Sequence, residues 1–124
     1  MEENILEIFS SIQGEGKYIG VRQAFLRFAG CNIKCSFCDT AFRPARSCRI
    51  EEIPGSGEYE ELPNPLSVEE VAARIRSFVV PVRHHSISLT GGEPLLHAAF
   101  IRALASEVNV PFFLETNGTL YEEM

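Results

Sequence analysis

The fold is decided by a strand pattern that runs directly into a glycine turn: Ser86-Ile87-Ser88-Leu89-Thr90-Gly91-Gly92-Glu93-Pro94. Polar and apolar residues alternate over 86–90, which is typical of a β-strand. Pro94 is suited to open a helix, because its fixed φ matches the first helical turn and its missing N–H is not needed there. We therefore predict a strand, a tight turn and then a helix over 95–107.

Similar units lie on both sides of this stretch. Residues 22–29 predict a strand closed by Gly30, with Phe25 and Arg27 on one face and Leu26 and Phe28 on the other. A short apolar run at 5–9 precedes it, and residues 110–115 predict a further buried strand.

A capping box starts the helix between the strands at 22–29 and 86–90. Ser67 is the N-cap and Glu70 the third helical residue, and the apolar positions that follow recur at helical spacing until Pro81. Strands that alternate with helices indicate an α/β fold of parallel strands, whose working loops lie at the strands' C-terminal ends. Three loops meet that rule, at 30–40, 90–94 and 115–118.

Composition limits the class of protein. The chain has 124 residues, of which 45% are hydrophobic, and a formal charge of −6 from 17 acidic and 11 basic side chains. Net acidity argues against a nucleic-acid partner, no apolar run approaches the roughly 20 residues of a membrane helix, and the first residues lack the basic start of a secretory signal. We expect one cytoplasmic domain, residues 1–124, with an irregular, mostly exposed connection at 41–66.

The four cysteines are the most specific chemical signal. Cys31, Cys35 and Cys38 follow the first predicted parallel strand with the spacing C-x-x-x-C-x-x-C, and Cys48 comes ten residues after Cys38. Three thiolates can bind an iron–sulfur cluster and leave one iron open, and an open metal position is typical of a catalytic site. The alternatives are a four-thiolate zinc or electron-transfer site that includes Cys48, or an incidental free Cys48.

The cysteine motif followed by Gly-Gly-Glu-Pro, in this order, resembles the radical S-adenosylmethionine (SAM) superfamily. Within it the chain is similar to the 7-carboxy-7-deazaguanine synthase family from about residue 5 to residue 119, with the weakest similarity in the connection. Three segments carry this narrower resemblance, Ser11-Ile12-Gln13-Gly14-Glu15-Gly16, Phe25-Leu26-Arg27 and Gly30-Cys31-Asn32-Ile33-Lys34-Cys35-Ser36-Phe37-Cys38-Asp39-Thr40.

The resemblance implies a partial TIM-like (β/α) barrel. Family members have about six strand–helix units on roughly 200 or more residues, whereas the pattern here stops after the strand at 110–115. We therefore expect only about the first half of the barrel, with the domain truncated at its C-terminus.

The resemblance also implies the cofactors. Cys31, Cys35 and Cys38 would ligate a [4Fe-4S] cluster whose open iron is chelated by SAM. One electron from a flavodoxin- or ferredoxin-type reductant would then cleave SAM to a 5'-deoxyadenosyl radical. Six residues are the implied SAM contacts: Phe37, Cys38 and Asp39 beside the adenosyl group, and Gly91, Gly92 and Glu93 at the methionyl ammonium.

The implied reaction converts 6-carboxy-5,6,7,8-tetrahydropterin to 7-carboxy-7-deazaguanine with loss of ammonia, in queuosine and 7-deazaguanine biosynthesis, by an enzyme that is commonly a homodimer. Thr40 matches the position that binds Mg²⁺, although it could equally cap a turn. The residues that match substrate contacts are Ile12, Gln13, Gly14, Arg27 and Thr90.

Other residues are assigned from their own chemistry. Glu15 could accept hydrogen bonds from a pterin amino group or be an exposed turn acid, and Glu115 and Asn117 end the last strand near the same mouth as further contacts with cofactor or substrate. Arg27 needs an anion to offset its desolvation, which could be the substrate or a structural salt bridge.

Phe37 could also be a core aromatic. The three histidines, His84, His85 and His97, have no ligand spacing and are interpreted as surface or helix-start residues.

Two other functions remain open at this stage. A glycyl-radical-enzyme activase would share the cluster and the Gly-Gly-Glu turn but act on a protein backbone. A noncatalytic iron–sulfur or zinc module would use the cysteines without SAM chemistry.

Overall fold

The computed structural model describes residues 1–30, 44–120 and 122. The strands in chain order are β1 (Glu2–Glu3), β2 (Ile5–Ile12), β3 (Arg22–Phe28), β4 (Ser47–Glu51), β5 (Tyr59–Pro63), β6 (Leu66–Ser67), β7 (Ser86–Gly91) and β8 (Phe112–Leu114). The helices are α1 (Val68–Val79) and α2 (Ala98–Ala105), and a 3₁₀ turn (Pro94–His97) precedes α2.

Six strands form one sheet in the order β5-β4-β2-β3-β7-β8, and β1 pairs with β6 separately. The strands β3, β7 and β8 are parallel, as predicted, and α1 and α2 lie on the connections between them. In contrast, β2 is antiparallel to β3, because the loop at 13–21 is too short for a crossover. The α/β class with parallel strands is therefore confirmed, within a mixed sheet.

The expectation of an irregular connection at 41–66 is wrong where the strands β4 and β5 lie. The strands β4 and β5 form an antiparallel hairpin, and β4 adds to the sheet beside β2. Cys48 and Ile50 are 0% exposed in the core. Only two buried apolar residues, Cys48 and Ile50, alternate in β4, and this pattern was too short to reveal a strand among the surrounding charged residues, glycines and prolines.

The two faces of the sheet have different chemistry. Ala24, Leu26 and Phe28 of β3 belong to the hydrophobic core, together with the apolar face of α1. Phe25 and Arg27 point the other way and are half-buried, which is the alternation that the sequence predicts. One face is thus a helix-covered core, and the other carries aromatic, polar and charged side chains.

The helix ends follow the predicted capping rules only in part. The Ser67 hydroxyl accepts a hydrogen bond from Glu70 N–H at 3.1 Å, and α1 ends at Val79, two residues before Pro81. The helix predicted over 95–107 is shorter, because Pro94–His97 forms a 3₁₀ turn before α2 begins. In the described part of the chain, no helix is long and apolar enough to span a membrane.

His84 is buried, so its interpretation as a surface residue is wrong. Its Nε2 lies 2.8 Å from the Ser10 hydroxyl and its Nδ1 lies 2.8 Å from the Val82 carbonyl. Burial lowers the pKa of His84, the bond to Val82 opposes that shift, and the charge of Arg22 adds to it. The folded protein therefore holds His84 neutral more strongly than the unfolded chain does.

This preference makes stability depend on pH. The pKa of His84 is lower in the folded than in the unfolded protein, so its contribution is complete above about pH 6.5 and is lost as the pH falls below that value. Denaturant unfolding at a series of pH values should show this loss in the wild type and in His85→Gln, which changes a neighbouring histidine that is exposed. The variant His84→Gln should lack this loss. If its free energy of unfolding falls with decreasing pH as steeply as that of the wild type, this assignment is wrong.

Candidate functional site

The Gly-Gly-Glu turn after β7 packs directly against the end of β3. Gly91 has φ +120°, and a Cβ there would lie 2.2 Å from the Phe28 carbonyl oxygen, so only glycine fits. Two residues on, Glu93 N–H donates to the Gly30 carbonyl at 2.8 Å. The turn is therefore fixed to the residue that immediately precedes residues 31–43, which carry Cys31, Cys35 and Cys38 and which we call the cysteine segment.

The Glu93 side chain joins this turn to the loop after β8. It is fully buried, and its Oε1 accepts hydrogen bonds from Leu95 N–H at 3.0 Å and from the Thr116 hydroxyl at 2.6 Å. Its Oε2 accepts from Asn117 N–H at 2.7 Å. Glu93 thus holds two strand-end loops together, and its contact with a methionyl ammonium stays a prediction.

A large cavity opens beside the Gly-Gly-Glu turn, with a volume of about 710 Å³. This volume falls within the range of pockets that hold small molecules and cofactors. Several predicted site residues line it, and the full set is Glu15, Gly16, Thr90, Gly91, Gly92, Phe113, Leu114, Glu115, Thr116 and Asn117. We refer to it as the turn cavity.

A second cavity, of about 340 Å³, lies further along the polar face of the sheet. Its lining residues are Phe9, Ser11, Ile12, Gln13, Glu15, Phe25, Arg27, Thr90 and Glu115. We refer to it as the sheet cavity. It shares Glu15, Thr90 and Glu115 with the turn cavity, so the two are adjoining parts of one cleft.

The loop at 13–21 folds onto the polar face and brings Glu15 to the cleft. The Tyr18 ring packs edge-on against Phe113 of β8, with centroids 5.7 Å apart. Gln13 is buried; its Nε2 donates to Gln23 Oε1 at 2.7 Å and its Oε1 accepts from Glu15 N–H at 3.1 Å. Gln13 therefore builds this loop as well as lining the sheet cavity.

Arg27 forms a structural ion pair, one of the two alternatives that the sequence analysis left open. Its Nε lies 2.9 Å from Glu7 Oε1, but the Nε–H is not aligned for a hydrogen bond with any described acceptor. The guanidinium lies 5.9 Å from the Phe9 ring centroid, and Phe9 stacks on Phe25 at 5.0 Å. Arg27 is thus an ion-paired cation in the wall of the sheet cavity.

Most other predicted site residues that the structure describes also border the cleft. Ile12, Thr90, Glu115 and Asn117 line one or both cavities, whereas Gly14 lines neither. Sequence reasoning missed Ser88, whose hydroxyl donates to Glu115 Oε2 at 2.8 Å. The polar positions of β7 alternate with its core residues, and that pattern could have identified Ser88.

The cysteine segment lies outside the described residues, so the roles of its members stay predictions. They are Cys31, Cys35, Phe37, Cys38, Asp39 and Thr40. Among the residues that the structure does describe, no group of three or more His, Cys, Asp or Glu side chains could hold a metal ion.

Cys48 is described, and its surroundings argue against a fourth thiolate ligand. The side chain is 0% exposed in the hydrophobic core. Burial, with a smaller contribution from Glu7, raises the pKa of its thiol to about 12. A cysteine binds metal as the thiolate, so Cys48 is a core residue here.

Comparison with known proteins finds relatives of this chain by sequence. The chain is 48% identical over 120 residues to a 7-carboxy-7-deazaguanine synthase of Geobacter sulfurreducens, covering 93% of this chain and 48% of the relative. It is 49% identical over 123 residues to a protein of the same name from Archaeoglobus fulgidus, covering 99% and 49%. The chain thus spans about half the length of these curated relatives.

A solved structure has the same fold. The crystal structure of QueE from Escherichia coli matches with a TM-score of 0.70 and 27% identity, over 96% of this chain and 54% of that one. The model of the Radical SAM superfamily matches residues 26–124, which include both the cysteine motif and the Gly-Gly-Glu turn. The chain therefore belongs to the radical SAM superfamily.

Proposed function

We propose that this chain forms the cofactor- and substrate-binding half of a 7-carboxy-7-deazaguanine synthase, a radical SAM lyase. It would convert 6-carboxy-5,6,7,8-tetrahydropterin to 7-carboxy-7-deazaguanine with loss of ammonia. One observation carries the proposal: the turn cavity and the sheet cavity share Glu15, Thr90 and Glu115. A cofactor in one and a substrate in the other would therefore be in contact.

The turn cavity suits SAM. Gly91 and Gly92 leave backbone atoms accessible at its wall, and the carboxylates of Glu15 and Glu115 also line it. These acidic groups complement the positive ammonium and sulfonium of SAM. Gly30, fixed to the Gly-Gly-Glu turn, leads into the segment that carries the proposed cluster ligands Cys31, Cys35 and Cys38.

The cluster, when bound, supplies the electron that cleaves SAM. The chain's own residues orient the reactants and keep them adjacent. Phe37 and Asp39 would flank the adenosyl group, and Glu93 keeps the two loops that border the turn cavity in register.

The sheet cavity suits a flat, anionic heterocycle. Arg27 offers a guanidinium for a carboxylate, and its ion pair with Glu7 fixes its position in the cavity wall. The Glu15 carboxylate is an acceptor for the donor edge of a pterin, Gln13 holds the loop that carries Glu15, and Phe25 adds an apolar ring. A guanidinium, a carboxylate and an aromatic ring around one cavity favour a small anionic heterocycle over the protein backbone that a glycyl-radical activase would need.

The remaining parts of the proposal come from the family resemblance. They are a Mg²⁺ ion at Thr40 that engages the substrate carboxylate, a one-electron reductant of flavodoxin or ferredoxin type, a homodimer and a cytoplasmic location. Thr40 is suited to Mg²⁺ because this ion takes few protein ligands and keeps oxygen donors around it.

An activity assay tests the proposed reaction. Anaerobically reconstituted protein is incubated with SAM, Mg²⁺, a one-electron reductant and the carboxytetrahydropterin. Mass spectrometry should detect 7-carboxy-7-deazaguanine, with one ammonia released per product. The variant Arg27→Gln should lose most of this activity and still bind SAM, since Arg27 lines only the sheet cavity. A sample that holds the cluster and binds SAM but forms no 7-carboxy-7-deazaguanine would contradict the proposal.

A metal analysis separates the proposed three-thiolate site from a four-thiolate module. Because Cys48 is a buried thiol with a raised pKa, Cys48→Ala should retain the iron and sulfide content of the wild type. In contrast, Cys35→Ala should lose most of both. If Cys48→Ala folds but binds no iron, the open-site model is wrong and the noncatalytic module takes its place.

A further inference from the structure

Asn4, between β1 and β2, bonds both sides of the cysteine segment. Its backbone carbonyl accepts a hydrogen bond from Ala29 N–H at 3.2 Å. Its side chain makes a two-way pair with Ala45: Nδ2 donates to the Ala45 carbonyl at 2.9 Å, and Oδ1 accepts from Ala45 N–H at 3.0 Å. Ala29 lies two residues before Cys31, and Ala45 lies seven residues after Cys38.

This pair resembles one rung of a β-ladder, because a side-chain amide carries the same donor and acceptor as a peptide group. Asn64 repeats the arrangement on Ile5: it accepts from Ile5 N–H at 3.0 Å and donates to the Ile5 carbonyl at 2.8 Å. It also donates to the Ala45 carbonyl at 3.2 Å. The backbone ladder of β2 and β4 pairs Glu7 with Arg49, so the two asparagines extend strand pairing toward the cysteine segment.

Ala29, on the N-terminal side of the cysteine segment, is also held by His97, independently of Asn4. His97 Nε2 lies 2.8 Å from the Ala29 carbonyl, and its Nδ1 lies 2.7 Å from Glu3 Oε2. The imidazole also stacks on Phe28, with ring centroids 4.7 Å apart. The N–H and the C=O of Ala29 are therefore both bonded, and the N–H is bonded to the residue that also holds Ala45.

We propose that Asn4 is a positioning residue for the iron–sulfur cluster: it ties together the two ends of the segment that carries Cys31, Cys35 and Cys38. A loop whose ends are already joined loses less conformational entropy when its side chains gather around one metal centre. Asn4 acts through its hydrogen bonds to Ala29 and Ala45. The inference rests on the proposed cluster, but the contacts that carry it lie in the described residues.

The test compares Asn4→Ala with Ser67→Ala. The control removes a helix N-cap, whose hydroxyl bonds Glu70, and so lowers stability without touching Asn4, Ala29 or Ala45. In anaerobically loaded protein, Asn4→Ala should release iron to a ferrous chelator about five- to thirtyfold faster than wild type, the factor that corresponds to losing two hydrogen bonds. It should also change the electron paramagnetic resonance spectrum of the reduced cluster, which Ser67→Ala leaves unchanged.

Asn4→Asp covers the case in which Asn4→Ala does not fold. It keeps the shape of the side chain and the acceptor for Ala45 N–H but removes the Nδ2 donor, so it should release iron faster than Ser67→Ala. If the folded Asn4 variants release iron at the rate of Ser67→Ala, the inference is overturned.

A cluster-free measurement separates this inference from the proposed function. Trypsin cleavage at Lys34 and Arg43 in iron-free protein should be faster in Asn4→Ala than in wild type and Ser67→Ala. If the wild type binds no iron, the proposed cluster is wrong, and this cleavage rate alone decides the role of Asn4. Equal cleavage rates in that case would overturn it.

Discussion

The close approach of Gly91 to the backbone of Phe28 is the constraint on which the rest of the site depends. A Cβ at Gly91 would collide with the Phe28 carbonyl oxygen at 2.2 Å. Two residues further, Glu93 N–H bonds the Gly30 carbonyl, so the close approach and this bond together join the end of β3 to the turn after β7. The parallel register of β3 and β7 and the glycine together bring two strand-end loops to one place.

The polarity of the sheet explains why a cleft forms there. The face that packs on the helices is apolar and contains Leu26 and Leu89, while the other face contains Arg27, Ser88 and Thr90. Side chains on that second face reach the cleft directly or through their partners, as Ser88 does through Glu115. The alternation that places apolar side chains in the core therefore also places polar side chains in the cleft. The loop at 13–21 forms part of the cleft wall.

The sequence predicted the features that depend on local pattern. The strands β3 and β7, the N-cap Ser67 and the split of Phe25 and Arg27 from Leu26 and Phe28 all follow from alternation or capping chemistry. The motif residues Gly91 and Gly92 line the cleft as their position at a strand end predicts.

The features that depend on distant partners were missed. The hairpin β4–β5 has little alternation of its own and is fixed by pairing with β2. The buried His84 contacts Ser10, which lies 74 residues earlier in the chain. Similarly, no local pattern shows that Glu93 bonds Thr116 and Asn117, or that Asn4 bonds Ala29 and Ala45. These contacts follow from the order of strands in the sheet.

The affinity for SAM in Gly91→Ala tests the central claim most directly, measured by equilibrium dialysis on cluster-loaded protein. The matched control is Gly57→Ala, because Gly57 also has a positive φ but no atom within 4 Å of an added Cβ. We predict that Gly91→Ala weakens SAM binding by at least tenfold, about 1.4 kcal/mol, while Gly57→Ala leaves it unchanged. Folded, cluster-loaded Gly91→Ala that binds SAM as tightly as Gly57→Ala would contradict the account.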